Sequence, residues 1–233
     1  YINKYNIPWS KCVVIHNAID PIPAHEKPKD KIKLAYWSTP HRGLNVLAPV
    51  FDKLCEKHDD IELDVYSSFK IYGWEERDKQ YEELFKFCQT HDSINYHGSV
   101  SNDRIRKELE FTHILAYPSI WQETSCMVLM EAMSAGLICV HPNLGALPET
   151  AANWTNMYQW NEDLNSHASI FYHVLDQAID NARAGESPQL KSQQSYANVF
   201  YGWEMRVPHW NAFLESLLNE PRDLPKPMFS YNS

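Results

Sequence analysis

The chain has 233 residues, of which 44% are hydrophobic and 13% aromatic, and this composition excludes a disordered acidic polypeptide because it supplies enough apolar surface for a folded core. Its 30 acidic and 21 basic residues give a net charge of -9, which argues against a broad nucleic-acid-binding surface. No run approaches the roughly 20 apolar residues that span a bilayer, and no amino-terminal signal pattern is present. We therefore expect a globular protein with no transmembrane segment and no nucleic-acid partner.

Cysteine and histidine spacing bears on metals and on the compartment. The five cysteines are widely separated and form no C-x-x-C pair, so the sequence predicts neither a disulfide framework nor a zinc site. The histidines form no H-x-x-x-H pair with a nearby acid, and we predict no metal site. This pattern indicates a reducing compartment, and we expect a cytoplasmic location.

From residue 31 onward, short apolar runs alternate with amphipathic helical patterns, which predicts a parallel sheet covered by helices. The predicted strands are residues 32–37, 61–66, 94–96, 114–117, 137–140 and 157–160. Helices are predicted between them, one of which contains Pro49, and this proline predicts a kink or a late helix start. Two closing helices are predicted at residues 166–184 and 195–218. Ligands of such a sheet bind at the carboxyl ends of its strands.

The most informative segment runs from Pro118 to Met133 and carries two glutamates, Glu123 and Glu131, around the start of a predicted helix. Thr124 or Ser125 can cap that helix, and its first N–H groups and positive dipole end would then bind phosphate oxygens. Glu131 lies about 9 Å along the helix from the cap at 1.5 Å per residue. That spacing suits a diphosphate at the helix start and ribose hydroxyls at Glu131. The plain alternative is a capped amphipathic helix with Glu131 on its solvated face.

This segment resembles the Glu-x7-Glu signature of retaining GT-B glycosyltransferases of glycosyltransferase family 4. Other family motifs follow in order over about residues 10–215, and the set is specific as an ordered whole. The matching residues are Val14-Ile15-His16-Asn17-Ala18-Ile19-Asp20 at the interdomain linker, His41-Arg42-Gly43-Leu44 at the Lys-Gly turn, His97-Gly98-Ser99-Val100 at the nucleobase loop, Gly145-Ala146-Leu147-Pro148-Glu149 at the Gly-Gly-x-Pro-Glu loop and Trp203-Glu204 in the closing helix. The resemblance implies an α/β fold with a Rossmann-like parallel sheet and helices on both faces, the C-terminal half of a GT-B fold.

The resemblance also implies a role for each matched residue. Glu123 would lie by the donor sugar and Arg42 would face the diphosphate, and these two are the candidate catalytic residues. Glu131 would bind the ribose. The other candidate substrate-binding residues are Gly43, Gly98, Ser99, Val100, Thr124, Ser125 and Cys126. No metal ligand is assigned, because the sequence contains no Asp-x-Asp pair and Arg42 with the helix start would stabilise the departing diphosphate as preorganised charge.

A protein of this family transfers a sugar from a nucleotide diphosphate donor to an acceptor hydroxyl with retained anomeric configuration. The resemblance therefore implies a UDP-sugar or GDP-sugar donor, a sugar, lipid-linked or protein acceptor, and no cofactor besides the donor. We divide the chain into a linker (1–30), a donor-binding domain (31–185), closing C-terminal helices (186–220) and a loose tail (221–233). The N-terminal acceptor domain of such an enzyme would be missing, and we expect the chain alone to bind nucleotide without transferring sugar.

The sequence departs from the family pattern directly after Glu123, where Thr124, Ser125 and Cys126 replace glycines that let the backbone approach phosphate. Two alternatives to an active transferase stay open. One is a degenerate nucleotide-sugar-binding scaffold module, which the lost glycines favour. The other is a nucleotide-sugar 2-epimerase of the same fold, for which the sequence offers no evident acid and base.

Overall fold

The structure is a computed structural model that describes residues 2–23, 25–185 and 187–218. At its centre lies a six-stranded sheet with the order β3-β2-β1-β4-β5-β6, and every neighbouring pair of strands is parallel. The strands are β1 (Ile32–Trp37), β2 (Ile61–Tyr66), β3 (Ile94–Tyr96), β4 (Ile114–Ala116), β5 (Ile138–Pro142) and β6 (Asn156–Tyr158). The predicted α/β fold with a Rossmann-like parallel sheet is confirmed, and each predicted strand is found within two residues of its predicted ends.

Helices connect the strands and close the chain. Their bounds are α1 (Ile2–Tyr5), α2 (Leu44–Cys55), α3 (Glu82–Thr90), α4 (Asn102–Leu109), α5 (Met127–Ser134), α6 (Leu147–Ala151), α7 (Leu164–Arg183), α8 (Pro188–Phe200) and α9 (Trp203–Leu218). Helix α2 packs against α7, and α5 packs against α8. Because connections between parallel strands are right-handed, the change of direction between β3 and β4 puts these two helix pairs on opposite faces of the sheet. Within the described residues, no helix combines the length and the apolar character that crossing a bilayer requires.

The strands are apolar because they are covered on both sides. All residues of β4 and β5 are buried, and so are five of the six residues in β1 and in β2. A strand with helices on both faces has no solvated side, so its sequence reads as a continuous apolar run. The hydrophobic core follows these central strands and includes Leu34, Leu63 and Leu115, none of which has exposed surface.

Pro49 lies inside α2, which begins at Leu44. Of the two expected effects of this proline, the late helix start is therefore wrong, and the kink stays a prediction. Proline has no N–H group, and the carbonyl of Asn45 one turn earlier therefore loses its usual partner. The helix continues because its apolar side is buried in the core, where Leu47, Phe51 and Leu54 have no exposed surface. Tertiary packing outweighs the local penalty.

The single closing helix predicted at residues 195–218 is also wrong, since α8 and α9 are separate helices. The chain turns at Gly202, where Ile19 of the entering segment forms an isolated parallel bridge. A Cβ atom at Gly202 would lie 2.5 Å from the carbonyl oxygen of Asn198, so the turn needs glycine. The first closing helix is found as α7, which Asp163 caps by accepting a hydrogen bond from the Ser166 N–H at 2.8 Å.

The second half of the predicted linker packs on the sheet domain. Ile19 and Ile22 are buried, and the Ile22 N–H donates to Ser134 Oγ at 2.8 Å. Lys27 Nζ donates to the carbonyl oxygens of Leu109 and Ala135 at 2.9 and 3.3 Å. The division into linker, donor-binding domain and closing helices stays a prediction, and the predicted loose tail lies outside the described residues.

The turn after β1 comes close to the loop after β4 at Gly43. Gly43 has φ +122°, and a Cβ atom there would overlap the carbonyl oxygen of Pro118. It lies between α2 and the 3-10 turn Pro40–Arg42 that follows β1. Only a residue without a Cβ atom allows the turn after β1 to approach the loop after β4 this closely.

We therefore expect Gly43→Ala to lower the free energy of unfolding by about 3 kcal/mol or more, because strain and overlap act together. Gly73→Ala is the matched control, since Gly73 also has positive φ but has no atom within 4 Å of the point where a Cβ atom would lie. That variant should lose only the backbone term of about 1–2 kcal/mol. Urea unfolding of both variants measures the difference, and equal losses would contradict the close approach at Pro118.

Candidate active site

The candidate site lies at the carboxyl edge of the sheet, where the loops that follow β1 and β4 lie side by side. These strands are neighbours in the sheet although they are not consecutive in the chain. Successive connections leave this point in opposite directions, which makes it the topological switch point where open α/β sheets bind ligands. Arg42 comes from the loop after β1, and Glu123 comes from the loop after β4.

Arg42 and Glu123 form an ion pair across this point. Arg42 Nη1 donates to Glu123 Oε1 at 2.9 Å and to Oε2 at 3.0 Å. The Tyr117 hydroxyl donates to Glu123 Oε1 at 2.6 Å. The Glu123 side chain is 4% exposed and that of Arg42 is 24% exposed. Two donors from different elements thus hold a buried carboxylate, while the cation keeps access to solvent.

The surroundings of this pair keep the cation charged and the hydroxyl protonated. Burial opposes the charge on Arg42, but Tyr117 and Glu123 outweigh it and raise the pKa of the guanidinium. Burial, followed by its acidic neighbours, raises the pKa of Tyr117 well above its ordinary value. Arg42 Nε is buried and has no hydrogen-bond partner among the described residues. An arginine that keeps an N–H donor unused by protein groups is suited to binding phosphate oxygens.

The backbone of Glu123 rests on the loop after β5. A Cβ atom at Gly145, which has φ +61°, would lie 2.6 Å from the N atom and 2.7 Å from the O atom of Glu123. The Ala146 N–H donates to the Glu123 carbonyl at 2.8 Å. The first glycine of the matched loop is therefore required by contact, whereas Ala146 has φ -85° and takes the place of the second glycine without strain.

The start of α5 differs from its predicted geometry. Cys126 occupies the cap position, and among the described residues no side-chain hydrogen bond caps the helix, so the predicted capping by Thr124 or Ser125 is wrong. Thr124 is exposed. Ser125 Oγ instead accepts from Asn17 Nδ2 at 3.1 Å, because the entering segment passes beside this loop. Neither predicted hydroxyl therefore occupies the first-turn N–H groups of α5.

Cys126 is buried and chemically quiet. Burial and then the nearby Glu123 raise the pKa of its thiol to about 12. The thiol is therefore neutral at physiological pH and does not repel an anion at the helix start. A nucleophilic role would need the thiolate, which this environment disfavours.

Glu131 is buried rather than placed on a solvated helix face, so the plain alternative for this residue is wrong. It is 4% exposed, although a charged residue is seldom buried unless it is paired. Asn102 Nδ2 and Arg106 Nη1 donate to its Oε1 at 3.1 and 3.4 Å. Both donors come from α4, so this helix and α5 hold the carboxylate between them.

The remaining candidates, Gly98, Ser99 and Val100, form the loop after β3. His97 anchors this loop, because its ring forms a hydrogen bond with Asp64 Oδ1 at 2.7 Å and stacks on Tyr66 at 4.5 Å. Gly98 has φ +64°. The loop lies at the same edge of the sheet as Arg42, but β2 stands between β3 and β1.

Sequence reasoning missed several residues that surround the candidate carboxylates. Tyr117 reads as the end of an apolar strand, and Arg106 and Asn102 read as the polar face of a helix. His41 packs edge-on against Trp121 at 4.9 Å and stacks on Phe69 at 5.2 Å beside the Arg42 turn. The available signal was the short spacing of Trp121 and Tyr117 from Glu123, which places both in the same loop.

The parallel sheet with helices on both faces is the fold of a GT-B glycosyltransferase domain. A family model described as "Glycosyl transferases group 1" matches residues 21–169, which is more than half of the chain. The chain belongs to this family.

The curated relatives of this chain also carry the names of glycosyltransferase subunits. The chain is 26% identical over 197 residues to one subunit of the human phosphatidylinositol N-acetylglucosaminyltransferase, covering 82% of this chain and 38% of the relative. It is 25% identical over 162 residues to the gpi3 subunit of the transferase of the same name from Schizosaccharomyces pombe, covering 68% of this chain and 34% of the relative. The chain thus spans little more than a third of the length of these relatives.

Solved structures share the fold at low identity. The pneumococcal O-GlcNAc transferase GtfA in complex with UDP and GlcNAc matches with a TM-score of 0.66 and 15% identity, over 87% of this chain and 39% of that one. HepE from Anabaena in complex with UDP-glucose matches with a TM-score of 0.64 and 15% identity, over 88% and 57%. The predicted recognition of a GT-B glycosyltransferase is confirmed, and the individual site residues stay predictions.

The ion pair generates a stability prediction. We expect Arg42→Ala to lower the free energy of unfolding by about 3 kcal/mol or more, because it leaves the Glu123 carboxylate buried without a cation. Glu123→Gln should cost less, because the Arg42 that it leaves is partly exposed. The double variant should cost less than the sum of the two, and a double-mutant cycle in urea measures that coupling.

The matched control is the exposed pair Lys70 and Glu75, which lie 3.3 Å apart with side chains 66% and 65% exposed. Removing either partner should change the free energy of unfolding by no more than about 0.5 kcal/mol. Additive losses at Arg42 and Glu123 would show that the two side chains do not interact in solution.

Proposed function

We propose that this chain is the donor-binding domain of a retaining glycosyltransferase of family 4, which binds UDP-N-acetylglucosamine and transfers the sugar to a hydroxyl of phosphatidylinositol. The observation that carries the proposal is the Arg42–Glu123 pair at the switch point of a parallel sheet. The sugar and the acceptor come from what the printed names of the curated relatives say of those proteins. UDP as the nucleotide draws on the ligands named for the two fold neighbours.

Arg42 supplies the charge that the diphosphate needs. Glu123 engages only its Nη1 atom, so the other guanidinium N–H groups can donate to phosphate oxygens. The first turn of α5, which neither Thr124 nor Ser125 caps, adds backbone N–H donors and the positive end of the helix dipole. As the bond to the anomeric carbon breaks, negative charge grows on the diphosphate, and these donors stabilise it without having to reorganise.

Glu123 is assigned to the donor sugar and Glu131 to the ribose. Tyr117 and Arg42 fix both oxygens of Glu123, so its carboxylate is held still beside the diphosphate site. A fixed negative charge there favours the cationic character that develops at the anomeric carbon during transfer. Glu131 accepts hydrogen bonds through Oε1, and a carboxylate has further lone pairs for sugar hydroxyls.

The acceptor and the partners of the reaction would lie mostly outside this chain. The chain covers 38% of the human relative, and we propose that an N-terminal acceptor domain completes the cleft. The curated relatives are named as subunits, which supports a protein partner for the whole enzyme. The cytoplasmic location stays a prediction.

The degenerate scaffold is the second candidate, because Thr124, Ser125 and Cys126 make the loop after Glu123 bulkier than glycines would. Transfer separates the two functions. A scaffold would bind UDP but leave UDP-N-acetylglucosamine unchanged in the presence of phosphatidylinositol and the partner subunits, whereas an enzyme would form the glycolipid.

A titration with UDP tests the phosphate site. Arg42→Ala should weaken UDP binding by about 1.5–3 kcal/mol, roughly 10- to 150-fold, because a charge-assisted hydrogen bond is lost. Uridine binding should change little. Arg42→Lys should recover only part of the affinity, because a lysine lacks the guanidinium fork. Calorimetry with UDP, uridine, GDP and ADP gives these values and identifies the base.

Lys70→Ala is the control for this titration, since Lys70 is an exposed cation that follows β2 and pairs with Glu75. The Lys70→Ala variant should bind UDP with nearly the affinity of the parent chain. Equal losses for UDP and uridine in Arg42→Ala would remove Arg42 from the phosphate site.

Metal dependence is tested on the full-length enzyme with its partner subunits. Arg42 and the start of α5 supply the positive charge, so we expect sugar transfer to survive EDTA at nearly its full rate. The assay follows radiolabelled N-acetylglucosamine into the lipid fraction with and without chelator. Recovery of activity only after addition of Mg²⁺ or Mn²⁺ would assign the phosphate charge to a cation and overturn this mechanism.

A further inference from the structure

Arg106 joins three parts of the molecule that sequence reasoning did not connect. It lies on α4, and its side chain is 21% exposed. Nη1 donates to Glu131 Oε1 on α5 at 3.4 Å, and Nη2 donates to the carbonyl oxygen of Asp20 in the entering segment at 2.8 Å. A second carbonyl, that of Pro21, lies 3.4 Å from Nη2. One guanidinium therefore bridges a buried carboxylate and the backbone that enters the domain.

The contacts at Glu131 are one-sided. Asn102 and Arg106 both donate to Oε1, and within the described residues Oε2 accepts no hydrogen bond. A glutamate side chain that is held through one oxygen loses its rotational freedom before a ligand arrives, and its other oxygen points in a fixed direction. Fixing the carboxylate in advance reduces the entropy that ligand binding must overcome.

The entering segment in turn fixes Arg106. Beyond the contacted carbonyls, Ile22 is buried and its N–H donates to Ser134 Oγ at 2.8 Å. Ser134 closes the same helix, α5, that carries Glu131. The carbonyls of Asp20 and Pro21 are therefore held relative to α5, and the planar fork of Arg106 has a rigid acceptor on each side.

We propose that Arg106 is a positioning residue for ribose recognition: it orients Glu131 so that the free oxygen accepts the ribose hydroxyls of the nucleotide. This inference rests on the proposed function, because it requires that a nucleotide occupies the site. Arg106 also offsets the charge of Glu131, whose burial without a cation would be costly. It contacts no ligand itself and acts through the carboxylate.

The experiment compares UDP with 2′,3′-dideoxy-UDP, which lacks both ribose hydroxyls, by calorimetry on the full chain. The parent chain should prefer UDP by about tenfold or more, the effect of one or more hydrogen bonds to a charged group. Arg106→Ala should weaken UDP binding by about tenfold, leave dideoxy-UDP binding within about threefold, and so remove the preference. Arg106→Lys keeps the charge and should restore part of the preference.

Arg104→Ala is the matched control. Arg104 lies on the same helix, is 56% exposed and pairs only loosely with Glu108 at 3.9 Å. The Arg104→Ala variant should keep the parent chain's affinity for UDP and its preference for UDP over dideoxy-UDP. Thermal unfolding of each variant verifies the fold. If Arg106→Ala does not fold, the preference of Arg106→Lys for UDP over dideoxy-UDP is compared with that of the parent chain instead.

The outcomes separate the two proposals. If the parent chain binds neither UDP nor another nucleotide, the proposed function fails. If the parent chain prefers UDP and folded Arg106→Ala keeps that preference, or loses affinity for both ligands equally, then Arg106 serves only to hold the entering segment and the inference is overturned. A preference that falls in Arg106→Ala and partly returns in Arg106→Lys supports it.

Discussion

The ion pair between Arg42 and Glu123 is the interaction on which the candidate site depends. It joins the turn after β1 to the loop after β4, two elements that are 81 residues apart in the chain. Two glycines make the pair possible: Gly43 lets the first turn approach Pro118, and Gly145 lets the loop after β5 lie against the Glu123 backbone. The sheet order sets these loops beside each other, and the glycines bring them within reach.

The negative charge of the chain explains why each candidate carboxylate is paired with an arginine. The chain has a net charge of -9, so its overall field would repel the nucleotide diphosphate of the proposed donor, and local cations would have to overcome that repulsion. Each candidate carboxylate is buried and has its own guanidinium, Arg42 for Glu123 and Arg106 for Glu131. Burying either carboxylate alone would be costly, and each arginine keeps N–H donors beyond those its carboxylate uses.

The sequence predicts the fold well because β1, β2, β4 and β5 are covered on both faces and read as apolar runs. It also predicts that the candidate residues follow strands at one edge of the sheet, since motif order follows strand order. It fails where contacts are long-range: the bridge of Ile19 to Gly202 splits the closing helix, and Asn17 engages the Ser125 hydroxyl that the sequence assigns to the cap of α5. Arg106 is missed for the same reason, because nothing near it in the sequence marks Glu131 or the carbonyl of Asp20 as its partners.

The start of α5 bears on whether the proposed diphosphate would fit beside the bulkier loop. Thr124 is exposed and Ser125 turns toward Asn17, so neither hydroxyl covers the first helical turn. The Cys126 thiol is neutral and buried. In the proposed complex, a diphosphate beside Arg42 would therefore meet backbone N–H groups rather than a hydroxyl cap. Arg42 can bind phosphate through its other N–H groups while Nη1 stays on Glu123, and the Tyr117 hydroxyl remains a second donor to that carboxylate. Diphosphate binding in the proposed site would therefore leave Glu123 paired, and the cost of a buried carboxylate without a cation would not arise.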